Sequence, residues 1–271
     1  MPELPEVETT RRGLEPHLTG QTILRLKIHD HRLRWPVDAG LPRTLAGQRV
    51  ESVERRAKYL LLRLTRGTVL WHLGMSGSLR IVPSDLPLDP HDHIDLALTS
   101  GHTVRFNDPR RFGCLIYVQG DPHAHPLLAK LAPEPFAPAF DAHYLWRISR
   151  QRKVSVKQLI MNGRVVTGVG NIYASEVLFQ SGIRPRRHGG SLTRDETGRL
   201  VKAIRKVLRQ AIRVGGTTLR DYVNPDGNPG YFRQKLYVYE RGGEPCRNCG
   251  TVIRSFTQGR RSTYYCPTCQ R

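Results

Sequence analysis

Acidic residues, cysteines and long apolar runs are all scarce in this chain of 271 residues. No apolar run approaches the roughly 20 residues that a membrane-spanning helix needs, and the first residues lack the apolar segment of a secretory signal. We therefore expect a cytoplasmic protein that has no membrane partner. Five cysteines are too few for a disulfide framework. The hydrophobic content of 38% is nevertheless sufficient for a folded core.

The shortage of acidic residues leaves a large positive charge. Lysine and arginine total 43 against 23 aspartate and glutamate residues, which gives a formal net charge of +20. Such a surface attracts polyanions. Because the basic residues are spread along the chain rather than confined to one amphipathic segment, nucleic acid is favoured over a membrane surface as the partner.

Four of the five cysteines form two Cys-x2-Cys pairs near the end of the chain. Sixteen residues separate Cys246 and Cys249 from Cys266 and Cys269. This spacing is typical of a zinc ribbon, in which four thiolates close the coordination shell and the ion is structural. Two disulfides or a redox pair are the alternative. Cys114 lies in an apolar run and is interpreted as a small buried hydrophobe.

The chain begins Met1-Pro2-Glu3-Leu4-Pro5-Glu6, and removal of Met1 would leave a secondary amine at Pro2. An α-amino group has an ordinary pKa near ~8, so part of it is unprotonated and nucleophilic at neutral pH. Glu3 would be the neighbouring acid. The alternative is structural, since proline and glutamate both favour the first turn of a helix.

The spacing of apolar residues predicts a helix followed by many strands. The helix is expected from Pro5 to Leu18, broken or kinked near Gly13 and Pro16. Short apolar segments then predict a β-sandwich or barrel. These segments are 24–28, 59–64, 79–81, 94–98, 103–106 and 113–118. Five prolines within 120–141 mark a hinge or linker.

After the linker the apolar period becomes helical. Ser155 can cap a helix at 156–162, and a glycine-rich turn leads to a second helix at 172–180 that Gly182 stops. Amides at a helix N-terminus, here around Asn171, bind phosphate, whereas a plain helical hairpin capped by Asn171 is the alternative. A capping box at Thr193 starts a third helix. We interpret the basic face of that helix as solvated, with a contribution to the long-range attraction of DNA as the alternative. This face carries Arg199, Lys202, Arg205, Lys206, Arg209 and Arg213.

Several segments together resemble the formamidopyrimidine-DNA glycosylases, bacterial enzymes that remove oxidised purines from DNA. They are Pro2–Thr9, Arg56–Leu60, His72–Gly77, Asp108–Gly113, Gly168–Ala174 and the four cysteines with Arg261 between the pairs. The resemblance implies an α+β fold with an N-terminal β-sandwich domain that carries a terminal helix. The remainder would be a helix-two-turn-helix domain and a zinc-ribbon β-hairpin. The expected divisions are 1–130 (sandwich), 131–150 (linker), 151–235 (helical domain, with a loop at 224–232) and 236–271 (zinc finger).

The resemblance also implies roles for individual residues. The catalytic residues would be Pro2 as nucleophile, Glu3 as general acid, Lys58 in β-elimination and Arg261 at the finger tip. DNA contacts would come from His91, Arg110, Arg152 and Asn171, while Met75, Arg110 and Phe112 would fill the gap left by an extruded base. The pocket for that base would include Glu6, Thr217 and Tyr231. Cys246, Cys249, Cys266 and Cys269 would hold one structural zinc ion.

The implied reaction is base release through a Pro2 Schiff base, followed by β,δ-elimination. The implied substrate is double-stranded DNA with oxidised bases or abasic sites, and the implied enzyme is a monomer in the bacterial cytoplasm, associated with the nucleoid through DNA. Two alternatives stay open: an endonuclease VIII-like glycosylase for oxidised pyrimidines, and a zinc-ribbon protein that binds lesions without catalysis. For Lys58 and Arg261, ordinary phosphate contacts are the alternative to a part in elimination.

Overall fold

The computed structural model describes residues 2–150, 152–216 and 236–271. Thr217, Tyr231 and the predicted loop at 224–232 lie outside these residues. The chain forms two compact units, Met1–Ala129 with Val214–Tyr231 and Lys130–Arg213 with Phe232–Arg271. The finer division expected from the sequence stays a prediction. In the part of the chain that is described, no helix is both long enough and apolar enough to span a membrane.

The first unit contains one long helix and two four-stranded antiparallel sheets. Its helices are α1 Leu4–Leu18, α2 Leu41–Leu45 and α3 Pro126–Ala129, with a 3-10 turn at Pro122–Ala124. Its strands are β1 Ile23–Ile28, β2 Val50–Arg56, β3 Tyr59–Leu64, β4 Thr68–His72, β5 Ser78–Pro83, β6 Asp92–Leu98, β7 His102–Asn107 and β8 Cys114–Val118. One sheet has the order β1-β6-β7-β5 and the other β2-β3-β4-β8.

The two sheets and α1 enclose one apolar core. Trp71 of one sheet and Phe106 of the other meet edge to face, with their ring centres 5.6 Å apart. Such a pair contributes about 1 kcal/mol beyond the area it buries. The predicted sandwich and the α+β class are therefore confirmed, and Cys114 is buried as expected.

Two strands, β2 and β4, were not predicted. In β2 the pairing register shifts between Val50 and Ser52, and this irregularity breaks the alternation that marks a strand. In β4 the first four residues are all buried, so no alternation exists there either.

The predicted break in the first helix does not occur, because α1 is continuous from Leu4 to Leu18. Pro16 lies in the last turn, where its missing N–H removes one backbone hydrogen bond. Leu14 and Leu18 on either side of it are completely buried. Burial of a leucine contributes about 1.5–3 kcal/mol, which outweighs that loss.

The second unit consists of helices and one β-hairpin. The helices are α4 Ala142–Ser149, α5 Val156–Met161, α6 Asn171–Ser181 and α7 Arg194–Arg213, with a 3-10 turn at Gly189–Ser191; the hairpin strands are β9 Arg254–Gln258 and β10 Arg261–Tyr265. Ser155 caps α5 as predicted, since its Oγ accepts the Gln158 N–H at 3.3 Å. Gly182 ends α6 with a φ of 71°, also as predicted.

The basic face of α7 is not uniformly solvated. The Arg205 guanidinium donates to the carbonyls of Pro135, Ala137 and Phe140 at 3.0, 3.1 and 2.7 Å. The interpretation of this side chain as solvated is therefore wrong. These carbonyls lie in a proline-rich segment without regular structure, and Arg205 supplies donors to them; the Ala137 carbonyl also accepts the Phe140 N–H at 3.1 Å.

Candidate functional site

Pro2 and Glu3 lie directly before α1 and are both buried. Glu3 is the N-cap of α1 and forms a capping box with Glu6, while Pro5 lies in the first turn. A structural role in opening the helix therefore holds for Glu3 and stays open beside the catalytic one. Glu6 accepts the backbone N–H of Glu3 at 2.9 Å. This hydrogen bond fixes the backbone that carries the candidate nucleophile and the candidate acid.

Gly216 contacts Glu6 and was missed as a candidate site residue. A Cβ at this position would lie 3.0 Å from Glu6 Oε1, and the φ of +81° is one that other residues rarely adopt. The sequence signal for this position is the pair Gly215-Gly216, which follows α7 and is also typical of the end of a helix. The structure thus shows what surrounds the Glu6 carboxylate, whereas the part of Glu6 in a base pocket stays a prediction.

Lys58 lies in the two-residue turn that joins β2 to β3. Arg55 holds this turn: its Nη1 donates to the Ala57 carbonyl at 2.9 Å, and its Nε donates to Glu8 Oε2 at 3.0 Å. Glu8 lies on α1, one turn after the residues that open the helix. The turn with Lys58 and the helix that follows Pro2 and Glu3 are therefore tied together.

His72, at the end of β4, is a second candidate that the sequence pattern missed. It pairs with Tyr59, the neighbour of Lys58, across the sheet. Burial, and then the charges of Lys58 and Arg34, lower the pKa of His72 to about 4. Its Nδ1 accepts the Gly74 N–H at 2.9 Å, which leaves the proton of the neutral ring on Nε2. A neutral His72 can thus donate a hydrogen bond to an anion near Lys58.

Met75, His91, Arg110 and Phe112 lie on three connections between strands of the first unit. The Phe112 side chain is 42% exposed, and the Arg110 guanidinium lies 4.9 Å from the centre of its ring. A ring this exposed contributes little to packing at the end of a strand. An exposed ring beside a planar cation suits insertion between bases.

Asn171 is the first residue of α6, and Gly170 is the N-cap. The alternative with Asn171 as the cap is therefore wrong; the helix begins one residue earlier than predicted. The Asn171 Oδ1 is buried and has no hydrogen-bond partner among the described residues. This oxygen is an acceptor and does not bind phosphate, whereas the N–H groups of the α6 N-terminus beside it are donors of the kind that do.

Arg152 lies in the exposed connection before α5. Its backbone is fixed by two hydrogen bonds: the Arg152 N–H donates to the Ser149 carbonyl at 2.9 Å, and its carbonyl accepts the Gly190 N–H at 3.1 Å. The side chain is thus presented to solvent from a fixed backbone. Such a cation can contact a phosphate.

The sulfur atoms of all four clustered cysteines lie within 4.8 Å of one another. Three of the pairs are 3.4, 3.5 and 3.9 Å apart. Tetrahedral zinc with Zn–S bonds of about 2.3 Å requires sulfurs about 3.8 Å apart, whereas a disulfide requires about 2.0 Å. The geometry therefore fits one structural zinc ion and does not fit two disulfides.

Arg261 lies at the tip of the β9–β10 hairpin. It pairs with Gln258, so that Gly259 and Arg260 alone form the turn. Both turn residues have positive φ, 56° and 61°, as in the tight turns that join twisted strands. Arg261 is exposed there.

Two buried charged residues anchor the zinc hairpin, and neither was predicted. The Lys157 Nζ donates to the Ser262 carbonyl at 3.0 Å and to Thr263 Oγ1 at 2.8 Å. Glu176 accepts the backbone N–H groups of 237–239 at 2.8 to 2.9 Å. Burial raises the pKa of Glu176, although these three donors oppose the rise. Lys157 thus fixes the residues next to Arg261.

A sandwich whose first helix follows the buried Pro2 and Glu3, together with a helix pair and a zinc hairpin, is the arrangement expected of one class of protein, the bifunctional DNA glycosylases. The model of the formamidopyrimidine-DNA glycosylase N-terminal domain matches residues 1–115. The H2TH domain of the same family matches residues 131–223, and the zinc finger found in FPG and IleRS matches residues 243–271.

Full-length relatives and solved structures point to the same family as the domain models do. The formamidopyrimidine-DNA glycosylases of Thioalkalivibrio sulfidiphilus and Stutzerimonas stutzeri are 58% and 55% identical over 100% of both chains. The MutM (Fpg) protein of Thermus thermophilus superposes with a TM-score of 0.89 at 41% identity, covering 99% of this chain and 98% of that one. Lactococcus lactis Fpg in complex with Fapy-dG-containing DNA has a TM-score of 0.91 at 30% identity, covering 99% and 100%.

The chain belongs to the formamidopyrimidine-DNA glycosylase family. It is a DNA glycosylase for oxidised purine lesions with abasic-site lyase activity, and it contains one structural zinc ion. The family, the activity, the fold class and the zinc that the sequence predicted are thus confirmed. The assignment of individual catalytic and DNA-contacting residues stays a prediction.

Proposed function

We propose that this enzyme, acting as a monomer, releases formamidopyrimidine and 8-oxoguanine from double-stranded DNA and then cleaves the abasic site by β,δ-elimination with Pro2 as the nucleophile. The observation that carries the residue assignment is the pair Pro2 and Glu3, buried directly before α1 and fixed by Glu6. The structure of Lactococcus lactis Fpg has been solved with Fapy-dG-containing DNA and with DNA that contains an abasic site. These complexes support formamidopyrimidine as a released base and the abasic site as the substrate of strand cleavage. The place of action is the cytoplasm, on nucleoid DNA.

Base release is the first half of the reaction. The Pro2 nitrogen forms a bond to C1′ of the sugar while the bond from C1′ to the base breaks. The base departs with that electron pair and takes up the proton that the Pro2 nitrogen loses. Glu3 protonates the ring oxygen, so that the ring opens and a cationic iminium joins Pro2 to the sugar. Because Glu3 is 1% exposed, bulk water does not compete for this proton transfer.

Strand cleavage is the second half. The iminium withdraws electrons and acidifies the C2′ hydrogen; loss of that proton expels the 3′ phosphate, and a second elimination expels the 5′ phosphate. Lys58 and Arg261 are cations that can contact or stabilise the departing phosphates. The neutral His72 beside Lys58 can donate a further hydrogen bond to the same kind of group.

DNA binding precedes both halves, because a paired base must leave the stack before its C1′ is accessible, at a cost of a few kcal/mol. Met75, Arg110 and Phe112 fill the gap that the base leaves. His91, Arg152 and Asn171 contact the backbone. The zinc ion, held by the four cysteines, supplies structural support for the hairpin that carries Arg261.

The substitution Glu3→Gln tests this division of labour. It keeps the Pro2 amine and removes the acid, so it should abolish release of an oxidised purine. A preformed abasic site presents an aldehyde in its open form, to which the amine can add with less help. We therefore expect the variant still to nick abasic DNA and to be trapped on it by borohydride. Equal loss of both activities in folded protein would refute the assignment of Glu3.

Excision rates on a panel of oxidised purines and pyrimidines distinguish the proposed function from the endonuclease VIII-like alternative. A preference for formamidopyrimidine and 8-oxoguanine over oxidised pyrimidines supports the proposal. The opposite preference would make the enzyme endonuclease VIII-like in specificity.

A further inference from the structure

Asp108 follows β7 and is completely buried, yet neither the reaction nor the proposed DNA contacts use it. Its carboxylate accepts two hydrogen bonds. Oδ1 accepts from the Ser76 hydroxyl at 2.9 Å, and Oδ2 accepts from the Gly113 N–H at 2.7 Å. Ser76 is the neighbour of Met75, and Gly113 is the neighbour of Phe112. One side chain thus joins the two connections that carry the gap-filling residues.

The backbone of Asp108 reaches a third connection. Its N–H donates to the His91 carbonyl at 3.1 Å, and its carbonyl accepts the Arg111 N–H at 3.1 Å. The same carbonyl accepts from Nε2 of the buried His93 at 2.9 Å. Both backbone groups and both carboxylate oxygens of Asp108 are therefore engaged.

Glycine packing shows independently that two of these connections are in direct backbone contact. A Cβ at Gly74 would lie 2.4 Å from the Gly113 nitrogen and 2.5 Å from the Phe112 carbonyl carbon. Neither atom could move away without displacing the Arg110–Phe112 turn. The connection with Met75 and the turn with Phe112 consequently cannot shift independently of each other.

We propose that Asp108 is the positioning residue that holds Met75, Arg110, Phe112 and His91 in one arrangement before DNA binds. Several side chains must enter one gap as a base leaves it, and groups held in the productive geometry beforehand do so without ordering at that moment. The inference rests on the proposed function, because it assumes that Met75, Arg110 and Phe112 fill the gap and that His91 contacts the DNA backbone. It adds that they act as one set and that a buried carboxylate sets their arrangement.

Three variants distinguish positioning from general stability. Asp108→Ala removes both carboxylate hydrogen bonds, and Ser76→Ala removes only the one that holds the Met75 connection. Asp108→Asn should restore function, because its Oδ1 can accept the Gly113 N–H while its Nδ2 donates to the Ser76 hydroxyl. Ser84→Ala is the matched control, since it removes a hydroxyl that donates to the Gly101 carbonyl at 2.9 Å, away from these connections.

The measured quantity is the rate of base extrusion. It is monitored after rapid mixing through the fluorescence of a 2-aminopurine placed next to 8-oxoguanine in a duplex. Borohydride trapping on single-stranded abasic DNA, which needs no gap filling, is recorded in parallel. We expect Asp108→Ala to slow extrusion about ten- to a hundred-fold and Ser76→Ala to slow it less. Trapping on the single strand should stay near the wild-type yield, and Asp108→Asn and Ser84→Ala should resemble the wild type.

Wild-type extrusion by a folded Asp108→Ala protein would overturn the inference. If that variant does not fold, Ser76→Ala decides: slowed extrusion with intact trapping supports the inference, and unchanged extrusion overturns it. Failure of the proposed function looks different, because the wild-type protein itself would then show neither extrusion nor trapping.

Discussion

In the first unit, a large apolar core packs against the elements that carry the candidate functional residues. The zinc hairpin of the second unit, strands β9 and β10 with the four cysteines, has only a small apolar cluster. The core of the first unit includes residues of α1 and of both sheets, with Trp71 and Phe106 across its centre. The cluster at the hairpin is small, and two of its members are the zinc ligands Cys246 and Cys266. The position of α1, which follows Pro2 and Glu3, therefore depends mainly on the hydrophobic effect. The position of Arg261 depends on a metal ion and on two buried charges.

Zinc removal should produce the largest effect. We expect chelation to lower cleavage of lesion DNA about a hundred-fold or more, because four thiolates without an ion leave the hairpin without most of its stabilisation. The first unit should remain folded, which the fluorescence of the buried Trp71 can report in protein whose Trp35 and Trp146 are replaced by phenylalanine. Metal analysis should find one zinc ion per active chain. Native cleavage by stripped protein would contradict this account of the hairpin.

Lys157→Met should have the next largest effect. The substitution keeps the length of the side chain but leaves the Ser262 carbonyl and Thr263 hydroxyl without their shared donor. We expect cleavage to fall about ten-fold or more, because displacements of about 1 Å near reacting groups have effects of this size. Lys202→Met, at an exposed position of α7, is the control and should cleave at the wild-type rate.

Gly216→Ala tests the first unit instead. The substitution places a methyl group against the Glu6 carboxylate at a positive φ, and the backbone strain alone costs about 1–2 kcal/mol. We expect a few-fold slower base release, with zinc content unchanged, since Glu6 holds the Glu3 backbone. Gly243 also has a positive φ, and a methyl group there would meet nothing within 4 Å, so it is the matched site for an alanine control. Equal base-release rates in both variants would show that the contact with Glu6 is unimportant.

The smallest expected effect is the contribution of His72 to the pH dependence of stability. Its pKa is about 4 in the folded protein against an ordinary value of 6.5, so the unfolded chain binds more protons between these values. This contribution to stability is complete above pH 6.5 and is lost as the pH falls toward 4. Urea unfolding at pH 7 and pH 5 should therefore show that the free energy of unfolding falls more for the wild type than for His72→Gln at the lower pH. Identical losses would mean that His72 titrates normally.

Local signals explain what the sequence could predict. The Ser155 cap, the stop at Gly182 and the paired cysteines each depend on residues a few positions apart. Lys157 and Ser262 are 105 residues apart, and Glu176 and Tyr237 are 61 apart, so no local pattern marks them as partners. A lysine and a glutamate are ordinarily exposed, and only the tertiary structure shows the carbonyl and N–H groups that make their burial favourable.

The candidate site residues come from the sequence and stay a prediction, whereas their arrangement comes from the structure. The resemblance identified Met75, His91, Arg110 and Phe112, whereas the hydrogen bonds of Asp108 that connect them arise from three separate connections. His72 was missed because its relation to Lys58 depends on the register of β3 and β4. The predicted N-cap of α6 was wrong by one residue, because Gly170 and Asn171 are adjacent and both residue types are acceptable N-caps.

Covalent trapping tests the central proposal most directly. The protein is incubated with duplex DNA containing 8-oxoguanine in the presence of borohydride, and the cross-linked peptide is sequenced by mass spectrometry. We predict that the reduced adduct lies on the nitrogen of Pro2 in chains that have lost Met1, and that chains which retain Met1 bind DNA but are not trapped. An adduct on a lysine, or undiminished trapping of chains that retain Met1, would contradict Pro2 as the nucleophile.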